Sequence, residues 1–236
     1  LSALGADRRF TTEIYIGNVV DAGDGIDDLV IRALGDPSMS PSFGVDPREI
    51  LGSWSGTLDS LGVHRIRNII VDASRYESTP FGPGWSWDDE AYGFNARVSA
   101  AAMYDNSVEV RVTPGTEPGS PARIDLIPAT AYVTLQVTAQ TASRDAVGTI
   151  EVKRERGSDI VTVSGSIAVG AEPYVEHIAV EDPNVFMGTL MEEELERRGI
   201  PVRGAILDAE DVRRPIPYSI MRRVSVRRSS PLRRGS

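Results

Sequence analysis

Between Pro83 and Tyr92 the chain reads Pro-Gly-Trp-Ser-Trp-Asp-Asp-Glu-Ala-Tyr. Two of its three tryptophans fall within three residues, and three acids stand directly behind them. Pro-Gly punctuates a bend, so the segment is expected as a loop and not as the middle of a strand. Rings beside carboxylates can grip a ligand that carries an amine. They can equally form a plug, with Trp85, Trp87, Tyr92 and Phe94 packed between domains and the acids capping the following turn. Composition leaves both roles open. Asp88 and Asp89 also form an adjacent carboxylate pair, suited in type to acid–base work or to a metal. No further oxygen or imidazole ligand follows at a suggestive spacing, so neither a metal nor a cofactor is expected.

A nucleophilic centre is not legible. The chain has no Gly-x-Ser-x-Gly elbow and no cysteine, which removes disulfides, thiolate nucleophiles and thiolate metal sites together. Its single lysine, Lys153, is preceded three residues earlier by Ile150, so Ser-x-x-Lys is absent, as is Lys-Thr-Gly. A Ser-His-Asp triad has only His64 and His177 to draw on, and both sit in strand-like contexts that read as structural or surface positions. Tyr104-Asp105-Asn106 spells Tyr-x-Asn without partner motifs and reads as a turn. A calcium loop starting at Asp21 fails, because its twelfth position is Arg32 and not glutamate.

The elements that carry these residues fall into three stretches. Residues 9–20 and 27–34 read as strands joined by a turn. Asp46-Pro47-Arg48-Glu49 reads as a helix start, with Ile50, Leu51, Trp54, Leu58 and Leu61 on one apolar face and Gly62 as the stop. A strand over Arg65–Asp72 completes a strand–helix–strand layer. After the tryptophan loop come short alternating runs at 107–114, 123–128, 132–139, 148–154 and 160–168, separated by Pro, Gly and Ser clusters. That pattern predicts an all-β sandwich or barrel. Helical character returns from Asp182 to Arg198, flanked by strands at 176–180 and 200–207. The charges of this helix read mostly as a solvated face. The expected fold is therefore an α/β (α+β) layer domain with an inserted all-β domain. Residues 1–97 and 174–208 form the layer, 98–173 the insertion, and 209–236 a return segment.

At 236 residues, with 41% hydrophobic and 25% charged, the chain can bury a sizeable core. No apolar run approaches the roughly 20 residues a bilayer span needs, and no basic-then-apolar leader opens it. That composition fits a cytosolic protein, a mature exported one or an excised fragment. Net charge is −9. Eight arginines and no acid follow position 212, so the preceding residues carry 17 basic against 34 acidic groups. An acidic body disfavours phosphate-backbone binding, so no nucleic acid is expected. The tail reads as a linking segment whose acidic neighbours lie elsewhere.

Several pieces stand in an order that resembles the low-molecular-mass class C penicillin-binding proteins, which are serine D-alanyl-D-alanine carboxypeptidases and endopeptidases. They are Leu4–Thr12, Gly35-Asp36-Pro37, Val71–Tyr76, Pro83-Gly84-Trp85-x-Trp87-x-Asp89, Val98-Ser99-Ala100-Ala101, Asn106, and Val112-Thr113-Pro114-Gly115. The resemblance implies two accessory domains inserted into a catalytic domain between its Ser-x-x-Lys and Ser-x-Asn motifs. It thus implies no complete penicillin-binding catalytic domain here, no activity of this chain alone, and a periplasmic or cell-surface setting. It implies peptidoglycan stem peptides and the missing catalytic domain as partners. It further implies that Asp89 pairs an ammonium, Phe94 packs on an aliphatic arm, and Trp85 and Tyr92 shape the wall. Tyr92-Gly93-Phe94 departs from the consecutive aromatics of relatives. The rival reading is a stand-alone peptidoglycan-binding or interaction module without catalysis.

Overall fold

The computed structural model describes residues 11–20, 25–76, 79–212 and 215–224. Most of the Leu4–Thr12 piece, positions 21–24 of the first turn and all tail arginines except Arg222 and Arg223 lie outside the described residues. The chain divides into two compact units: residues 1–80, 98–104 and 183–236 form the first, and residues 81–97 and 105–182 the second.

The first unit is a mixed sheet with two helices. Its strands are β1 (Thr12–Ile16), β2 (Val19–Val20), β3 (Gly25–Ala33), β4 (Arg65–Asp72), β13 (Ile206–Asp208) and β14 (Arg222–Val224). The order is β13-β4-β3-β1-β14, with β2 paired to β3. β3, β4 and β13 run parallel, and β1 is antiparallel to both of its neighbours. Parallel neighbours need crossovers, and α1 (Pro47–Ser60) supplies the one between β3 and β4. Its start matches expectation: Asp46 caps it by accepting from the Arg48 N–H at 2.9 Å, and Pro47 fills the first turn. Leu51, Trp54 and Leu58 are buried, while Leu61 is exposed beyond the last turn.

α2 (Pro183–Arg197) precedes β13 and buries Phe186, Met187, Leu190, Met191 and Leu195. Its Gly188 is required by close approach. A Cβ there would lie inside the van der Waals contact of Ile206 Cγ2 and 3.5 Å from Val71 Cγ2. The expectation of a mainly solvated charged face needs correcting. Arg48 of α1 pairs with Glu193 at 2.5 Å and Glu194 at 2.9 Å, and Arg198 reaches Ser55 Oγ and the Gly52 carbonyl. The expected strand at 200–207 shortens to β13, because Asn68 Oδ1 takes the Ala205 N–H and interrupts the ladder. In the tail, Arg223 pairs with Glu13 across the β1–β14 register at 2.8 Å, so an acidic neighbour lies near the other end of the sequence.

The second unit contains strands and single-turn 3-10 helices. Its strands are β5 (Ser107–Thr113), β6 (Arg123–Ile127), β7 (Thr134–Val137), β8 (Gln140–Ala142), β9 (Glu151–Arg154), β10 (Ile160–Ser164), β11 (Ser166–Ala168) and β12 (Tyr174–Ala179). They form three small sheets, ordered β7-β10-β9, β11-β8 and β12-β5-β6. The expected runs appear at these places, but 132–139 shortens to β7, 160–168 breaks into β10 and β11, and β8 falls outside every expected run. β12 was expected in the α/β layer. It pairs instead with β5, His177 facing Glu109 and Ile178 facing Val108, with Ile178 and Ala179 buried. This unit therefore differs from the expected 98–173: it takes in 81–97, with the whole tryptophan loop, and 174–182, and leaves 98–104 to the first unit. Among the described residues no helix is long and apolar enough to cross a membrane.

Candidate functional site

The tryptophan loop lies in the second unit, and its C-terminal end is held by backbone hydrogen bonds. Ala91 O accepts from the Ala179 N–H at 2.9 Å, and Tyr92 bridges to Ile178, so the loop leans on β12. Its exit is fixed by Asn106, whose Nδ2 donates to Arg97 O at 2.9 Å and whose carbonyl accepts from the Val180 N–H. Asn106 ends a turn in which Tyr104, Asp105 and Asn106 all have positive φ, at 51, 56 and 53°. The Tyr-x-Asn triplet is thus a turn, as its isolation from partner motifs suggested, and its asparagine anchors the loop. Consecutive left-handed residues are costly in non-glycine sequence, so local contacts must hold them.

Inside the loop the three acids separate by environment. Asp88 is exposed and accepts from the Ser86 hydroxyl, which holds its carboxyl below the usual aspartate range. Glu90 is buried and lies among three guanidiniums: Arg156 Nε at 3.0 Å, Arg97 at 3.5 Å and Arg154 at 3.9 Å. Glu181 closes the cluster, pairing with Arg154 at 2.6 Å and with Arg97. Asp89 is half-buried, and no cation pairs with it among the described residues. Only its backbone is engaged, donating to Ser86 O and accepting from Tyr92 N.

The aromatic residues sort into pairs. Tyr92 and Phe94 stack, with centroids 5.6 Å apart and planes within 6°. Phe94 is nonetheless 78% exposed. Trp85 packs on Phe81 at 6.1 Å, and Arg97 covers that Phe81 ring. Trp87 is 72% exposed and carries Arg156 over its face at 5.8 Å. Rings serving only as packing would be buried, whereas Trp87 and Phe94 present their area to solvent. Of the four expected site residues, Tyr92 and Phe94 are in mutual contact, while Trp85 belongs to the Phe81 pair. Gly93 sits between the stacked rings because its α-carbon abuts β12: a Cβ there would lie 2.8 Å from His177 Cβ. That packing explains the glycine which interrupts the aromatic run.

The Glu90–Arg97–Arg154–Arg156–Glu181 cluster, built on the buried Glu90 and Arg154, has no local signature in the sequence beyond the arginine pair around Glu155. Its members are scattered over 92 positions. A hollow in the first unit, lined among others by Asn18, Asp28, Ile70, Ile216 and Met221, includes none of the expected site residues.

Several known proteins are similar to this chain. The D-alanyl-D-alanine carboxypeptidase of Actinomadura sp. (strain R39) is 30% identical over 213 residues, which is 87% of this chain and 38% of that protein. The D-alanyl-D-alanine carboxypeptidase DacB of Haemophilus influenzae is 23% identical over 209 residues, again 87% of this chain and 42% of the relative. The crystal structure of penicillin-binding protein 4 (dacB) from Haemophilus influenzae has a TM-score of 0.67 at 23% identity, covering 91% of this chain and 46% of that one. The same protein complexed with a β-lactam gives 0.62 at 19% identity. These structures carry the fold, a mixed α/β arrangement with several sheets. The chain spans less than half the length of the relatives it matches. Since the D-Ala-D-Ala carboxypeptidase 3 (S13) family matches residues 1–234, the chain belongs to that family.

Proposed function

We propose that this chain is the accessory-domain portion of a serine D-Ala-D-Ala carboxypeptidase/endopeptidase that acts on peptidoglycan stem peptides in the periplasm or at the cell surface. The first unit is its α/β accessory domain, and the second is an all-β domain inserted into it. Bond cleavage belongs to the part of the relatives' length that this chain does not span. Within residues 1–236 there is no Ser-x-x-Lys, Ser-x-Asn or Lys-Thr-Gly to supply a nucleophile and its base. The contribution of this chain is recognition: Asp89 pairs the free ammonium of a stem peptide, Phe94 packs on its aliphatic arm, and Trp85 and Tyr92 shape the wall.

The observation that carries the reading is the contrast among the loop acids. Glu90 is saturated by guanidiniums, while Asp89, beside a solvent-facing aromatic stack in sequence, has no cation of its own among the described residues. A half-buried carboxylate without a partner is an incomplete site for a positive ligand. Two experiments test the proposal. Incubation of the purified chain with a fluorescent penicillin is expected to give no covalent label, and labelling overturns the assignment of catalysis elsewhere. Calorimetric titration with a lysine tripeptide bearing a free side-chain ammonium is expected to give tighter binding than its Nε-acetyl twin. Equal affinity for the two removes the recognition role.

A further inference from the structure

Glu90 is surrounded by more positive charge than a structural carboxylate needs. Its side chain meets Arg97, Arg154 and Arg156, and its backbone carbonyl also accepts from Arg154 Nη2 at 3.3 Å. Arg154 comes from the end of β9, and its side chain is only 2% exposed. It also donates to Glu155 O and Ser158 O, which folds the turn after β9 around it. Arg97 stands at the loop's exit and Glu181 just after β12. The acid at the loop's centre is thereby tied to three other points of the same unit.

This cluster is a poor source of stability. Burying charges is costly, and a buried ion pair is often no better than an apolar replacement. Here Arg97 Nε and Arg154 Nε are also buried without a hydrogen-bond partner. What such a cluster supplies is position, because each guanidinium fork accepts carboxylates only from fixed directions. The position supplied runs outward. Arg156, 68% exposed, links Glu90 below to the Trp87 face above. Glu90 is also the immediate neighbour of Asp89, so a fixed Glu90 backbone places the Asp89 backbone from which its carboxylate projects.

We propose that Glu90, through Arg154 and Arg156, is the positioning residue of the tryptophan loop, holding Trp87 and Asp89 in one orientation for a ligand bearing an ammonium group. The ligand part rests on the recognition reading above; the positioning part does not. The network gathers the loop first, and the ligand then meets a site that is already ordered, with less ordering entropy to lose on binding.

The three tryptophans make the test internal. Trp54 is buried in α1 of the other unit, whereas Trp85 and Trp87 sit on the loop, so three indole N–H signals report separately by NMR. In Glu90→Gln the heteronuclear NOE of the Trp87 indole and of the Asp89 amide is expected to drop, with Trp54 unchanged. Arg156→Gln removes an exposed group, keeps the fold, and is expected to loosen Trp87 alone. Arg156→Lys keeps the charge but loses the planar face, so it is expected to restore the tie to Glu90 without restoring Trp87. Unchanged loop NOE values in both Glu90→Gln and Arg156→Gln overturn the positioning role. For the ligand arm, the lysine tripeptide is expected to lose about tenfold in affinity on Glu90→Gln, the size of one displaced charge-assisted contact. Undiminished affinity in a variant whose loop has loosened also overturns it. A loosened loop in a protein whose wild type ignores the ammonium sinks the recognition reading and leaves the positioning role intact.

Discussion

Asp89→Asn isolates charge from shape. The amide keeps the size of the carboxylate, and no side-chain contact among the described residues is lost, so folding stability should stay within about 0.5 kcal/mol of wild type. Binding should not. A carboxylate and an ammonium about 4 Å apart attract by about 4 kcal/mol at an effective dielectric near 20. Asp89 is half-exposed, and exposed pairs are worth only about 0.2–1 kcal/mol after screening and ordering. A partly desolvated pair falls between, at about 1–2 kcal/mol, or a five- to thirtyfold loss of affinity. Calorimetry with the lysine tripeptide reads this directly, and the Nε-acetyl peptide controls for the remaining contacts. The wild-type preference for the free amine should shrink as salt is raised from about 0.05 to about 0.5 M, because screening then acts within a few ångströms. The Asn variant should show neither the preference nor its salt dependence. If both peptides lose affinity equally in the variant, Asp89 acts through loop shape and the ammonium pairing is refuted.

Three further outcomes follow from the first unit. Gly188→Ala should lower Tm by about 2–8 °C in a thermal melt, since overpacking against Ile206 costs about 1–3 kcal/mol and better helix propensity returns at most about 1; a rise in Tm refutes the close packing of α2. Asp46→Ala should destabilise by about 2–3 kcal/mol, because the cap of α1 and the acceptor of the Tyr104 hydroxyl disappear together, and in a urea-unfolding cycle with Tyr104→Phe the two losses should be less than additive. Burial by itself would raise the Asp72 pKa, but hydrogen bonds from Ser74 and Tyr218 and the Arg32 charge outweigh it and hold the group below 3.8. Its stabilising contribution is therefore present above about pH 4 and is lost as pH falls through the lowered folded value. Asp159, raised by burial, works in the opposite sense in the other unit. The difference in urea midpoint between wild type and Asp72→Asn should accordingly narrow on acidification from about pH 5 to about pH 2, and a constant difference refutes the assignment.

The helices were legible because their signals are local. Asp46-Pro47 and Gly62 bracket α1, and Asp182-Pro183 and Gly199 bracket α2 with their apolar spacing between. Strand positions were legible from alternation, but strand partners were not. Nothing near Tyr174–Ala179 says that it pairs with β5, because partner choice depends on residues some 65 positions away. The same holds for charge. Glu193, Glu194 and Arg198 carry the local signature of a solvated face, yet Arg48 and Ser55 of α1 meet them. The loop stood out by composition, whereas the roles of Trp85, Asp89, Tyr92 and Phe94 came only from the family resemblance. The cluster beneath it did not stand out, since Glu90, Arg154 and Glu181 are ordinary charges until the fold brings them together.

That cluster changes how the loop is to be understood. An exposed loop rich in aromatic side chains has two ways to remain soluble and specific: it folds onto its partner, or it is held in place beforehand. The first leaves rings and acids free to rearrange, and binding then bears the cost of ordering them. Here the Tyr92–Phe94 stack, the Trp85–Phe81 pair and the Arg156–Trp87 contact hold the rings through side chains of the same unit. Three guanidiniums surround one acid while its neighbour has no cation among the described residues, and the proposed roles divide accordingly: Glu90 to order the loop, Asp89 to meet the ligand. Exchanging their environments in thought shows why the order matters. A saturated Asp89 would offer no charge to an ammonium, and an unpaired Glu90 would leave a buried charge uncompensated and release the ties to Arg97, Arg154 and Arg156.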